Sequence, residues 1–381
     1  MSSEDAVRER YSAAAEAREP SLCCPVEYDS RYLEVIPEEV LERDYGCGDP
    51  SRFAQEGDTV LDLGSGGGKI CFIASQVVGP KGRVIGVDMT DEMLALARGA
   101  APRVAERVGY ANVEFVRGRI QDLRLDVDRL DAWLAQNPVH NSGDLDAMNR
   151  ACEELRRTSP LIPDASVDLV VSNCVLNLVR EEDRAALIRE IYRVLRDGGR
   201  VAVSDIVSDE PIPQHLKDDP ELWSGCVSGA FEERAFLTAL EEAGFYGIAI
   251  EAWAEEPFAV VEGIEFRSLT VTARKGKEGP CYEANQAVVY RGPWKRVEDD
   301  DGHVLERGER VAVCAKTHRL LTSAPYGDAV TSIPPREPIP EAERSSFDCS
   351  RTARRDPRES KGPAYRETRE GGAACGPEGC C

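Results

Sequence analysis

The stretch 59-TVLDLGSGGGKICFIA-74 decides the fold. Thr59 to Leu63 is a short, mostly apolar run with the length of a buried strand. Gly64, Ser65, Gly66, Gly67 and Gly68 follow at once, and Ile70, Phe72, Ile73 and Val77 then recur at helical spacing. A strand therefore enters a glycine turn and a helix leaves it. Glycine in such a turn opens backbone angles closed to other residues and lets a ligand approach the main chain. The turn is not a magnesium-phosphate loop, because Ile70 follows Lys69 where a hydroxyl residue would be needed. Nor does Gly64-x-Gly66-x-Gly68 match the dinucleotide spacing Gly-x-Gly-x-x-Gly.

The next apolar run, Arg83 to Val87, ends in Asp88. An acid roughly 20 residues beyond a glycine turn is placed to bind ribose hydroxyls. DLGSGGG followed by GVDMT resembles the S-adenosylmethionine site of the class I methyltransferases. Residue pattern alone also admits an NAD-binding turn or a turn with no ligand. The resemblance implies a Rossmann-like α/β three-layer sandwich. In it the glycine loop cradles the methionine part of the cofactor and Asp88 holds the ribose.

Further strand-like runs lie at 113–116, 167–172, 200–205, 247–252 and 266–273, alternating with helical patterns at 91–108, 181–195 and 231–244. Alternation of this kind predicts a parallel-rich sheet with helices on both faces, and the resemblance adds a final reversed strand to give seven. Ala95, Leu96 and Met93 are the expected buried face of the helix after Asp88. Residues 1–20 predict a charged helix whose thin apolar stripe is Val7, Tyr11 and Ala14. Residues 124–163 interrupt the alternation and are read as a helical insertion covering the edge of the site.

The expected organisation is a cysteine-bearing segment at 1–50, a methyltransferase domain at 51–275, a small mainly β domain at 280–325 and a disordered tail at 331–381. Four prolines before residue 341 and few apolar residues suggest that tail.

The chain has 381 residues, and its formal charge of −22 excludes neither solubility nor enzymatic function. It argues against nucleic acid or an anionic membrane as partner, since both attract a basic face. The charged start and the lack of a long apolar run lead to the expectation of a cytoplasmic protein. Thirteen cysteines are many for such a compartment, and thiol or metal chemistry is the expected use rather than disulfides.

Cys47 is expected on an exposed loop before the first strand, with Cys174 after the fourth strand and Cys226 after the fifth, on loops that would converge. Three thiolates could hold zinc, but zinc normally takes a fourth ligand and no Cys-x-x-Cys is present. Trivalent arsenic, a soft centre, suits three thiolates and keeps its lone pair. Cys71, Cys152, Cys281 and Cys314 are read as packing or structural residues.

YGCG at 45–48, SNCVLNL at 172–178 and LWSGC at 222–226 resemble the cysteine motifs of arsenite methyltransferases. The resemblance runs from about residue 20 to 325. It implies that Cys47, Cys174 and Cys226 bind arsenic and that Cys23 or Cys24 forms a redox disulfide. It implies cofactor contacts at Tyr45, Asp62, Gly64, Ser65, Gly66, Gly68, Asp88, Met89, Ile120 and Asn173, with Ile120 against the adenine. The implied co-reactants are S-adenosylmethionine and a thiol reductant such as glutathione or thioredoxin, and the substrates are arsenite or methylarsenite. Two alternatives stay open on the residues: methylation of a small organic acceptor, and a thiol-rich metalloid or zinc binder.

Overall fold

In a computed structural model, which describes residues 3–17, 19, 26–350 and 354–368, Thr59–Leu63 is a strand, β1, buried from Val60 to Leu63. It pairs in parallel with β2, Arg83–Asp88, on one side and with β4, Val167–Asn173, on the other. β3, Val113–Arg117, extends the sheet beyond β2, and β5, Leu195–Ser208, extends it beyond β4, both parallel. β9, Ile264–Arg274, then runs antiparallel between β5 and β7, Tyr246–Trp253. The order β3-β2-β1-β4-β5-β9-β7 is the seven-stranded sheet with a reversed last strand. Two short strands are added to it: β6, Phe231–Glu232, on β5, and β8, Ala259–Val261, on β9.

Alternate side chains of each strand feed two cores, as a sheet buried on both faces requires. Val60 and Val171 point to one face, where they meet Phe72 and Ile73 of the helix Lys69–Val78 and Leu94 and Ala97 of the helix Asp91–Val108. Leu61, Leu63 and Val170 point to the other, with Leu187 and Ile191 of Glu181–Val194 and Phe236 of Glu233–Glu242. In the helix Asp91–Val108 the buried side chains are Met93, Leu94, Ala97, Ala100 and Val104. Ala95, expected inside, is exposed, because the apolar stripe runs one residue earlier from Leu94. The insertion forms two helices, Val127–Leu134 and Ser142–Thr158, capped by Asp126 and Asn141. No helix among the described residues is long and apolar enough to cross a membrane.

The chain divides into two compact units, Met1–Gly276 and Lys277–Cys381. In the second, β10, Ala287–Tyr290, lies between β13, Arg310–Ala312, and β14, Val330–Ile333, both antiparallel to it. β11, Arg296–Glu298, and β12, Val304–Glu306, form a separate hairpin. This unit is larger than the 280–325 expected. β14 lies in the segment read as disordered, and so does Arg355, which is only 2% exposed. Arg355 pairs with Glu283 at 2.7 Å and Glu359 at 2.5 Å and donates to the Gln286 carbonyl at 3.2 Å. The segment is tied down by a compensated buried charge and one strand, so its low apolar content misled. Cys23, Cys24, Cys375, Cys380 and Cys381 lie outside the described residues.

Candidate active site

The carboxyl ends of β1, β2 and β4 open onto a cleft. Carboxyl-end crevices are where open α/β sheets bind ligands. Nine of the ten expected cofactor residues line it: Tyr45, Asp62, Gly64, Ser65, Gly66, Asp88, Met89, Ile120 and Asn173. Gly68 does not. It caps the helix Lys69–Val78, and a Cβ there would sit 2.6 Å from the Phe115 ring. The remaining wall includes Val7 and Tyr11 of the helix Ser3–Glu16, whose thin stripe thus faces the cleft. No residue of 124–163 is among the lining residues, so the insertion does not cover this cleft.

Gly64 has φ +68, and a Cβ on it would clash with Val175 at 2.4 Å, so only glycine fits the turn. Asp88 accepts the Gly66 N–H at 2.8 Å through one oxygen and the Thr90 N–H at 2.8 Å through the other. Burial raises its carboxyl above the usual range even so. Asp62 is pushed up to about 7 by burial, against a hydrogen bond from the Cys71 thiol at 3.2 Å. Cys71 therefore touches a cleft carboxylate besides packing in the core. Asp44 also lines the cleft and pairs with Lys69 at 2.7 Å. The Ser65 hydroxyl is buried with no hydrogen-bond partner among the described residues. Clustered carboxylates and an orphaned hydroxyl fit a ligand that carries positive charge and hydroxyls. S-adenosylmethionine, with its sulfonium, ammonium and ribose diol, is such a ligand.

Beside the cleft lie three buried thiols, Cys47, Cys174 and Cys226, at 5%, 6% and 3% exposure. The sulfurs of Cys47 and Cys174 and a carboxylate oxygen of Asp205 all lie within 4.8 Å of one another. The Cys226 thiol donates to the Cys174 carbonyl at 3.1 Å and contacts the Cys174 sulfur. Cys174 also lines the cleft, so one residue joins the thiol cluster to the cofactor pocket.

Cys174 and Cys226 have φ of 60 and 61. Non-glycine residues seldom adopt the left-handed region, and such strain persists only where the surroundings enforce it. Here the Cys174 N–H donates to the Ser204 carbonyl at 2.7 Å. Asp205 accepts from the Leu176 N–H at 2.9 Å and from the Asn177 amide at 2.8 Å.

Cys47, expected on an exposed loop, is buried. The Asn173 side chain accepts the Cys47 and Gly48 N–H groups at 2.9 and 3.1 Å and donates to the Gly48 carbonyl at 2.8 Å. Ser268 donates to the Cys47 carbonyl at 2.6 Å. Asn173 can bind so closely because a Cβ on Gly46 would lie 2.1 Å from its amide nitrogen.

Two of the thiols are held above the ordinary thiol range. Contact with the Cys174 thiol and burial push Cys226 well above its ordinary range. Cys174 is lowered by Cys226 but raised more by Cys47 and burial, with a net upward shift. Asp205, pushed up to about 7 by burial, was not foreseen as a site residue. It lies within β5 beside Cys174, a neighbour that strand order sets. Tyr11, whose hydroxyl lies 3.8 Å from the Cys226 sulfur, was visible only as part of a stripe.

Sheet order, glycine turn and strand-end acid together define a class I S-adenosylmethionine-dependent methyltransferase. A methyltransferase domain family matches residues 54–162 and 153–244, and a domain family of unknown function matches 277–365. The chain is 32% identical over 319 residues to the arsenite methyltransferase of Aquipseudomonas alcaligenes, covering 79% of this chain and 81% of the relative. The human arsenite methyltransferase is 29% identical over 321 residues, covering 81% and 76%. The crystal structure of an arsenic(III) S-adenosylmethionine methyltransferase from Chlamydomonas reinhardtii superposes with a TM-score of 0.56 at 28% identity, covering 85% of this chain and 100% of that one. The chain belongs to the arsenite methyltransferase family.

Proposed function

We propose that this protein methylates trivalent arsenic bound by Cys47, Cys174 and Cys226. The observation that carries the reading is the convergence of three buried thiols, one of which also lines the cleft. Arsenite, As(OH)3, would exchange its three hydroxyls for three sulfurs. Each As–O bond breaks as an As–S bond forms, and each thiol proton leaves with hydroxide as water. Protonated thiols suit this exchange, because it needs no net proton release. Asp205, beside two of the sulfurs, can hold a proton in transit. Three sulfur ligands leave the arsenic lone pair as nucleophile, and no general base is required.

Ser65, Asp62 and Asp88 would hold the cofactor's polar groups, and Ile120 and Met89 its base. S-adenosylmethionine, when bound, supplies an electrophilic methyl group. Positioning donor and acceptor in one cleft carries much of such an acceleration. Returning methylated arsenic to the trivalent state takes two electrons, supplied by thiol oxidation to disulfide. Cys23 or Cys24, with glutathione or thioredoxin, fills that role in this reading, and a reducing cytoplasm suits free thiols.

The test is incubation with arsenite, S-adenosylmethionine and glutathione, followed by chromatographic separation of arsenic species. Cys174→Ser and Cys226→Ser are expected to give no methylated product from arsenite or methylarsenite, since serine is a poor ligand for a soft centre. Methylarsenite has only two exchangeable ligands. Cys47→Ser is therefore expected to lose arsenite methylation while keeping measurable methylarsenite methylation. Arsenite methylation by Cys174→Ser would overturn the reading in favour of an organic acceptor.

A further inference from the structure

The C-terminal unit has a thiol cluster of its own. The sulfurs of Cys281, Cys314 and Cys349 lie within 4.8 Å of one another, and all three are free thiols. They come from three separate stretches of chain that the backbone brings together. The Phe347 N–H donates to the Cys281 carbonyl at 2.9 Å, the Ala315 N–H to the Tyr282 carbonyl at 2.8 Å, and the Glu283 N–H to the Ser345 carbonyl at 2.9 Å. Cys314 is buried, and its sulfur contacts the Thr317 N–H at 3.3 Å and hydroxyl at 3.2 Å. Cys281 and Cys349 are half-buried, so the cluster can be reached from solvent. Phe347 and Ala312 form its apolar surround.

We infer that Cys281, Cys314 and Cys349 form a second binding site for trivalent arsenic, in the C-terminal unit and independent of methyl transfer. Among the described residues no histidine or carboxylate joins the three sulfurs within the same distance. A structural zinc site is almost always four-coordinate, whereas a trivalent arsenic centre is satisfied by three sulfurs. Binding needs no redox partner. Arsenite loses three hydroxyls, three As–S bonds replace three As–O bonds, and the three thiol protons leave as water.

The test uses the full chain with inorganic arsenite as probe. Arsenic retained after desalting is counted by mass spectrometry, in a background of Cys375→Ser, Cys380→Ser and Cys381→Ser. The triple change Cys281→Ser, Cys314→Ser, Cys349→Ser is expected to lower the count by about one arsenic per chain, with arsenite methylation retained. An unchanged count in a folded variant overturns the site. Should that variant not fold, the unaltered protein serves instead. Arsenite is expected to protect the solvent-reachable Cys281 and Cys349 together from N-ethylmaleimide, peptide by peptide, and a small dithiol is expected to reverse the protection. Equal alkylation with and without arsenite overturns the proposal. So does one tightly bound zinc that arsenite fails to displace. Repeating the protection in Cys174→Ser separates this site from the methylation site, whose failure would leave it untouched.

Discussion

Two buried carboxyls, Asp62 of the cleft and Asp205 of the thiol cluster, are both pushed to about 7 by burial, far above the ordinary aspartate value of about 4. A folded value above the unfolded one means that the folded state binds the proton more tightly. The resulting stabilisation is complete below about pH 4 and is lost as pH rises through about 7. In the free protein the thermal midpoint should therefore fall between about pH 5 and about pH 8, with Asp62→Asn and Asp205→Asn each flattening that fall. The two carboxyls then part company on ligand binding. In the proposed reading Asp62 ionises to meet a cationic cofactor, so S-adenosylmethionine affinity should rise with pH through about 7 in wild type and in Asp205→Asn and rise less in Asp62→Asn. Calorimetric titration reads this directly. A parallel pH profile in Asp62→Asn would remove Asp62 from the cofactor site.

At the scale of elements, the site depends on how β4 ends. Asn173, the last residue of the strand, spends its amide on the Cys47–Gly48 backbone, and Cys174 then turns left-handed. One strand end thus presents one thiol and clamps the loop that carries another. Asn173→Ala removes three hydrogen bonds to the Cys47–Gly48 backbone, each worth about 1 kcal/mol net, and a longer one to the Tyr28 hydroxyl at 3.4 Å. It should lower stability by about 1–3 kcal/mol and raise KM for arsenite more than KM for S-adenosylmethionine. An equal rise in both would show that Asn173 serves the cofactor instead.

This division explains what the sequence could disclose. β1, its glycine turn and Asp88 were legible because strand, turn and acid are contiguous and have a period. The meeting of Cys174 with Cys226 was inferable from strand ends. The burial of Cys47 was not, because it comes from a side chain 126 residues away in sequence. The same holds for Tyr11, whose helix shows a stripe without showing what the stripe covers, and for Asp205, whose neighbour across the sheet is set by strand order.

At the scale of the whole molecule, the two units are stabilised differently. The first rests on two apolar cores flanking one sheet. The second has a small apolar cluster around Val288, Leu305 and Val313, a three-stranded sheet and the buried Arg355. A cut after Thr331 falls within β14, leaving β10 one antiparallel partner short and removing Arg355 with its ion pairs to Glu283 and Glu359. Glu283 would then lose its charged partner, and the Gln286 carbonyl would lose the hydrogen bond from Arg355. A small unit has little stability to spare against such a loss. The chain ending at Thr331 should therefore show a protease-sensitive second unit and lose the cooperative melting of that unit. A chain ending at Thr368 keeps every one of these contacts and should melt as the full chain does. Limited proteolysis with mass mapping distinguishes the two truncations, and equal resistance would mean that Arg355 and β14 contribute little to the unit they join.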